Sequence, residues 1–510
     1  MKYVALIRKV FGPGPNQRHG YPGHPEIELA LLRLYTETRN QDAYDLGRYF
    51  LEERGNSTGQ DGKHYYDWES DQRGDSPWKR PDCYPRHRSY WYNQAQCPIL
   101  EQKTIEGHSV RAMYLLTAAA DMVNLDRDNK QKLATSEEWV TALTRLWDNM
   151  VDQKMYVTGG IGAIEQWEGF GGDYFLPQGT DEGGCYAETC ASIGVIMLAE
   201  RLLQYDLQGR YADVMELCLY NNVMTAMSLN GRVFTYVNQL ASSDKDKSER
   251  QDWFEVSCCP PNLTRLFGSL GGYLWDFGVD GDEAFVNVHL YTTAKLTFGP
   301  ANAAITLEQK SNWPWEGTVA LQITKPRSVQ TMLRLRLPAW CQESFAITPA
   351  PSTEQIRISR GYLILAPEFV HNNASFTLEI KNFGVRYITP HPYTNQRTLT
   401  LARGPVIYCA EDTDNEWEAN HFKDVIIQRS SPVTEEQRVF EEAGEDYIAL
   451  KTTCWKRSMK VWETKQPGLE PGMLAMDQTL GEEKEIVFVP YYFRANRGGK
   501  GHMRVGLLGQ

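Results

Sequence analysis

The spacing of apolar residues changes character once along this chain, near residue 280, and that change limits the folds open to it. Upstream, apolar positions recur every three or four residues. Ile27, Leu31, Leu34 and Tyr35 share one face of the stretch 26–35, the spacing that lines side chains along one stripe of an α-helix. The same pattern predicts helices over about 41–53, 108–124, 136–150, 187–205, 209–226 and 261–276. Downstream, Val286, Val288 and Leu290 alternate with Asn287 and His289, the period of a strand with one buried face. Short runs of this kind follow at 318–324, 331–337, 355–365, 374–380, 397–408, 424–428, 446–453 and 485–490, separated by Gly, Pro and Asn turns. Many short strands joined in this way indicate β-sandwiches. A break around Tyr387-Ile388-Thr389-Pro390 divides the strand-rich half. The expected organisation is a helical domain over 1–278, a β-sandwich over 279–385 and a C-terminal β-sandwich over 386–510. Between 55 and 105 a polar, aromatic stretch carries Pro77, Pro81, Pro85 and Pro98. It is expected to be a long loop of the kind that carries function.

Charge and cysteine content exclude several classes. Lys and Arg number 53 against 65 Asp and Glu, for a net charge of −12, which argues against a nucleic-acid backbone as partner. No run reaches the roughly 18 apolar residues of a membrane span, so no membrane partner is expected. The stretch from Met1 to Lys9 lacks the apolar core and cleavage site of a secretory signal. Ten cysteines spread over 510 residues are too thin for a disulfide scaffold. They fit a reducing compartment, hence a cytoplasmic location, and favour metal-binding or catalytic roles where they cluster. The 14 Trp and 27 Tyr supply flat apolar faces that suit sugar rings. Assembly as a homo-oligomer is left open.

Chemistry-bearing residues concentrate between Thr158 and Cys190. Gly159-Gly160-Ile161-Gly162 lacks the ending of a phosphate loop and matches no dinucleotide fingerprint. Glu165, Glu168, Asp173, Asp181, Glu182 and Glu188 crowd this segment. For any one of them a solvated loop acid is the plain expectation. Glu168 differs because Trp167 and Phe170 flank it; an apolar setting raises a carboxyl pKa and suits a general acid. Glu188 and Cys190, with Cys258-Cys259 before a proline pair, supply the donors of a tetrahedral zinc site. Their spacing is not that of a zinc finger, and inert buried cysteines remain the alternative. Gly23-His24 and Gly107-His108 each precede a predicted helix. These histidines are either helix caps or polar groups converging on a pocket at one end of the helical domain.

Taken together, the stretches GHPEIELAL (23–31), GHSVRAMYL (107–115), TGGIG (158–162), YAETCASIG (186–194), WFEVSCCPPNLTRL (253–266), RGPVIYCAE (403–411) and PYYFRANRG (490–498) resemble the β-L-arabinofuranosidase family, glycoside hydrolase family 127, with family 146 as a close relative. The resemblance implies an (α/α)6-type barrel followed by two β-sandwich domains. It implies a retaining exo-glycosidase acting on terminal β-L-arabinofuranosides of a small carbohydrate or glycoconjugate. It also implies a zinc ion held by Glu188, Cys190, Cys258 and Cys259, with Cys258 as nucleophile and Glu168 as general acid/base. His24, His108, Glu216 and Tyr236 match positions that hold the sugar hydroxyls. The family carries a long segment, with a further Gly-His helix start, ahead of the first of these motifs, whereas Met1 stands shortly before His24. The barrel is therefore expected to be incomplete, with either an exposed apolar stripe on helix 26–38 or a partner covering it. The alternatives are a catalytically weak carbohydrate-binding member of the family, or a glycosidase for a related sugar.

Overall fold

The computed structural model describes residues 2–76, 88–128, 133–255, 257–301, 303–417, 419–441, 444–461 and 476–510. Pro77, Pro81 and Pro85 of the expected long loop, and Val256 of the Trp253–Leu266 motif, lie outside the described residues.

Helices dominate the first half: α1 Lys2–Val10, α2 Glu26–Thr38, α3 Gln41–Glu53, α4 Tyr65–Arg73, α5 Ser109–Asp128, α6 Leu133–Gln153, α7 Thr189–Tyr205, α8 Gly209–Leu217 and α9 Cys259–Gly268. They form two layers. α2, α5, α7 and α9 touch in succession, and α3, α6 and α8 pack behind α2, α5 and α7 respectively. α7 is buried almost all round, as a helix covered on both sides must be. In α7, Cys190, Ala191, Ile193, Val195, Ile196, Leu198, Ala199, Leu202 and Leu203 are all buried. The link between α2 and α3 shows how the chain reverses. Arg39 takes a left-handed conformation (φ 55°), and the Asn40 side chain accepts the Ala43 N–H at 2.9 Å, ending one helix and capping the next.

Several details differ from the periodicity-based expectations. The stretch 55–105 is not one loop: α4 and two short 3-10 turns, Trp91–Asn93 and Ile99–Glu101, lie within it. The expected helix 261–276 ends early, because Trp275 begins a strand that pairs with Val288. The apolar stripe of α2 is covered in part by α1. Leu31 is buried with Val4, Ala43, Leu46 and Phe50, with Ile27 and Leu34 packed alongside, while Tyr3 and Leu6 of α1 face outward. No helix among the described residues is long and apolar enough to cross a membrane.

The middle domain is two five-stranded sheets. Its strands are β1 Trp275–Asp280, β2 Glu283–Val288, β3 Ala294–Phe298, β4 Ile305–Ser311, β5 Thr318–Thr324, β6 Gln330–Arg336, β7 Phe345–Thr348, β8 Ile356–Ser359, β9 Tyr362–Leu365 and β10 Ser375–Ile380. One sheet has the order β1-β2-β6-β9-β8 and the other β3-β4-β5-β10-β7. Burial alternates strictly along β5, and Leu307, Val319 and Leu321 from one sheet share a core with Val286, Leu333 and Leu363 from the other. That core is continuous with the helical domain.

Among the described residues, the C-terminal domain is a nine-stranded sheet built around the long pair Glu445–Val461 and Met476–Pro490. The strand Thr398–Arg403 pairs both with Leu507–Gly509 and with Val406–Glu411, so the sheet folds over onto itself. Leu401, Val406, Tyr408, Leu450, Phe488 and Tyr491 fill its interior.

Candidate active site

The inner helices α2, α5, α7 and α9 deliver their N-terminal ends to one place. His24 stands just before α2, His108 just before α5, Glu188 at the start of α7, and Cys258 at the start of α9. Helix N-termini carry partial positive charge, which favours the acids and thiolates gathered there.

Both Gly-His pairs use one local device. The imidazole Nδ1 accepts a backbone N–H two residues on: Glu26 onto His24 at 3.3 Å and Val110 onto His108 at 3.2 Å. In His108 two roles are joined, since Nδ1 caps the helix and Nε2 meets the Glu168 carboxylate. His64 and His391 make the same contact elsewhere, so the cap alone does not mark a functional histidine. Glycine is required before His108. Gly107 has φ 77°, and a Cβ there would meet the Trp91 carbonyl oxygen at 2.0 Å.

Glu168 is held from both its backbone and its side chain. Its φ of 54° is unusual for a residue with a side chain, and its carbonyl accepts the Ser109 N–H at 3.1 Å and the Ser109 hydroxyl at 2.9 Å. Its carboxylate meets His108 Nε2 at 2.9 Å, the Tyr186 hydroxyl at 3.1 Å and the Tyr92 hydroxyl at 3.5 Å. These contacts correct the expectation of a raised pKa. The His108 hydrogen bond, aided by Tyr186 and Arg111, holds Glu168 below the usual carboxylate range against the opposing effect of burial. The apolar neighbours do not surround the carboxyl. Phe170 is buried in the core, and the Trp167 indole N–H is spent on the Phe170 carbonyl at 3.0 Å. Burial pushes His108 down, which keeps it neutral and donating from Nε2.

The second cluster is Glu188, Cys190, Cys258 and Cys259, whose donor atoms all lie within 4.8 Å of one another. Cys190 and Cys259 sulfurs are 3.4 Å apart and those of Cys258 and Cys259 3.9 Å, and Glu188 Oε1 is 3.4 Å from Cys258 and 3.7 Å from Cys259. A tetrahedron of sulfurs around zinc has edges of about 3.8 Å, given a Zn–S bond of about 2.3 Å. Glu188 Oε2 is buried without a hydrogen-bond partner, and an orphaned carboxylate oxygen among thiols calls for a cation. Without one the four acids compete. Burial and the charge on Cys258 push Glu188 up, burial pushes Cys259 up, and hydrogen bonds from Cys190 and Cys259 pull Cys258 down. The donor set and its packing fit a zinc ion. Asn262 supports the cluster, donating to Cys190 at 3.1 Å and to the Tyr114 hydroxyl at 3.0 Å.

Cys258 is the exposed member of this set; Glu188, Cys190 and Cys259 are buried. The Tyr236 hydroxyl lies 3.1 Å from its sulfur. Tyr236 in turn packs edge-on against Tyr186, with ring centroids 6.2 Å apart, and Tyr186 reaches Glu168. Two tyrosines thus link the thiol cluster to the Glu168 carboxylate. His24 joins the same pocket through Tyr114, at a ring separation of 5.8 Å.

Glu216 does not. It is buried in an ion pair with Arg336 (2.5 Å), and its second oxygen accepts from the Trp340 indole at 3.3 Å. Both partners belong to the middle domain, so its carboxylate is committed to the domain junction. That geometry corrects the expectation that it holds a sugar hydroxyl.

Tyr92, Arg111, Tyr114, Tyr186 and Asn262 were not singled out from sequence. Each had a signal. Tyr92 lies in the aromatic stretch marked as functional, and the others lie inside the quoted motifs two to six residues from a chosen residue.

Three family models match the sequence in chain order: the beta-L-arabinofuranosidase GH127 catalytic domain over residues 1–272, the GH127 middle domain over 285–374, and the glycoside hydrolase family 127 C-terminal domain over 385–507. The non-reducing end beta-L-arabinofuranosidase of Bifidobacterium longum subsp. longum is 31% identical over 515 aligned positions, covering 97% of this chain and 72% of that protein. Among solved structures, a GH127 beta-L-arabinofuranosidase from Geobacillus stearothermophilus T6 superposes with a TM-score of 0.82 at 30% identity, covering all of this chain and 76% of that one. A second GH127 beta-arabinofuranosidase superposes with a TM-score of 0.76 at 26% identity, covering all of this chain and 72% of that one.

Proposed function

The chain belongs to glycoside hydrolase family 127, and from that premise we propose that it releases terminal β-L-arabinofuranosyl residues with retention, using Cys258 as nucleophile and Glu168 as acid/base. The observation that carries this reading is the exposure of Cys258 alone among the four clustered donors, on the side linked by Tyr236 and Tyr186 to Glu168.

Glu188, Cys190, Cys258 and Cys259 would hold a zinc ion. Bound there, zinc would keep the thiols ionised and neutralise the charge that three sulfurs and a carboxylate concentrate.

The remaining chemistry belongs to the chain. Most retaining glycosidases use a carboxylate nucleophile; here the Cys258 sulfur attacks the anomeric carbon, forming an S–C bond as the glycosidic C–O bond breaks. Glu168 gives its proton to the departing oxygen. In the second step Glu168 takes a proton from water, the water oxygen bonds to the anomeric carbon, and the S–C bond breaks. The Tyr236 hydroxyl, 3.1 Å from the sulfur, donates to Cys258 and restrains it between steps. His108 and Tyr186 stabilise the carboxylate form of Glu168 that the second step needs. His24 stands at the sugar side of the pocket, and His108 acts there through Glu168.

The test is metal content together with hydrolysis of an aryl β-L-arabinofuranoside by the wild type and by Cys258→Ser. Near-complete loss of kcat is expected, with the fold retained. Wild-type kcat from Cys258→Ser would sink the nucleophile assignment, and an absence of turnover in the wild type with sugar binding intact would favour the carbohydrate-binding alternative.

A further inference from the structure

Outside the catalytic cluster, loops of two domains bring Asp244, His421 and His502 together, with their ligating atoms within 4.8 Å of one another. We propose that this trio is a second metal site, taking a divalent first-row transition ion such as zinc, and that it ties segment 241–248 of the helical domain to the C-terminal sheet domain.

The chemistry of the donors comes first. Two imidazoles and one carboxylate form a nitrogen-oxygen set suited to zinc, nickel or copper, and distinct from the sulfur-rich catalytic set. His421 Nε2 lies 3.2 Å from Asp244 Oδ1, and the His421 and His502 rings are 3.9 Å apart. One divalent ion between them and the aspartate neutralises the carboxylate and uses both lone pairs. Two neighbouring charged groups are engaged elsewhere. Lys423 is paired with Asp181 at 3.0 Å, and the Asp412 carboxylate accepts the His502 backbone N–H at 3.0 Å.

The support behind the trio is built rather than loose. His421 Nδ1 is 2.8 Å from the Ser242 hydroxyl, a partner on the far ring nitrogen of the kind that orients ligating histidines. Ser242 is itself fixed to the residue after His502: its oxygen accepts the Met503 N–H at 2.7 Å, and its N–H donates to the Met503 carbonyl at 2.9 Å. Val505 to Leu240 (2.8 Å) and Ser248 to Gly501 (2.9 Å) extend this pairing to either side. His421 is buried and sits in a left-handed conformation (φ 50°) between Asn420 (φ 52°) and Phe422 (φ 62°). Three consecutive non-glycine residues in that region are costly, and such strain persists where the surroundings impose it. Here the buried Phe422 and the Ser242 contact hold the ring toward Asp244. Asp244 is almost fully exposed and meets His421 from the open side.

The site is structural in character. Its ligands come from one loop of the helical domain and two of the C-terminal domain, so an ion bound there stabilises their contact.

Cobalt(II) distinguishes the two sites, because a thiolate-rich site gives a strong sulfur-to-metal charge-transfer band and a histidine-aspartate site does not. The full chain, stripped of metal, is titrated with cobalt or zinc as wild type, Asp244→Asn and His502→Ala, with bound metal counted by elemental analysis. The wild type is expected to bind two ions per chain and each variant one, with the charge-transfer band equal in all three. Excess zinc is expected to raise the melting temperature of the wild type by several degrees more than that of the variants. Asp244→Asn removes only an exposed carboxylate, so its fold is not at risk. Equal uptake by all three proteins, or loss of the charge-transfer band in the variants, overturns the proposal.

Discussion

His108 Nε2 lies 2.9 Å from the Glu168 carboxylate, while the same ring takes the Val110 N–H on Nδ1. With Nδ1 occupied as an acceptor, the proton of the neutral ring sits on Nε2 and points at Glu168. One imidazole thereby caps the start of α5 and holds Glu168 toward its carboxylate form.

This relationship makes the alkaline limb of the pH–rate profile movable, because a general acid stops working as pH rises through its pKa. Glu168 is held low by donors, so removing one raises its pKa and extends general-acid activity to higher pH. Tyr186→Phe is expected to shift the limb attributed to Glu168 upward in pH. A profile of kcat/KM against pH measures it, and an unmoved limb would count against Glu168 as the titrating group.

Leaving groups separate the roles of Glu168. Glu168→Gln is expected to lose about 10²–10⁴-fold in kcat on substrates with basic leaving groups, and much less with an activated aryl leaving group that needs no proton. A uniform loss across leaving groups would mean that Glu168 does not act as the acid.

Glu216 is expected to matter for stability and not for sugar affinity. Removing one partner of a buried, hydrogen-bonded ion pair costs about 3–5 kcal/mol, and Arg336 is fully buried beside Glu216 and Asp213. Glu216→Ala should lower the melting temperature clearly while leaving KM near wild type. A raised KM at unchanged stability would return Glu216 to the sugar pocket.

His289 predicts part of the acid sensitivity of the fold. Burial lowers its pKa from 6.5 to about 3, and Nδ1 is held by the Tyr362 hydroxyl at 2.7 Å. The unfolded chain takes up a proton here below pH 6.5 and the folded chain does not. The contribution is therefore intact above pH 6.5 and is lost as pH falls toward 3. The drop in melting temperature between pH 7.5 and pH 4 should be smaller for His289→Gln than for the wild type. An equal drop would show that this histidine does not couple to unfolding.

Sequence by itself determined the order of architectures and the chemical inventory. Helical spacing at Ile27, Leu31 and Leu34, and alternation at Val286, Val288 and Leu290, reflect local geometry, so they are readable from neighbours along the chain. The motifs around His24, His108, Glu188 and Cys258 likewise announced which side chains were available, because helix starts and prolines leave local marks. Tertiary structure alone decided what those side chains do. Cys258 rather than Cys190 or Cys259 is the exposed thiol where the start of α9 meets the start of α7. Glu168 is lowered rather than raised because His108 and Tyr186 arrive from elsewhere in the chain, while its sequence neighbours Trp167 and Phe170 turn away. Glu216 is taken by an arginine 120 residues away. Burial, hydrogen-bond partners and charge at a site depend on distances in space, and spacing along the chain carries no record of them.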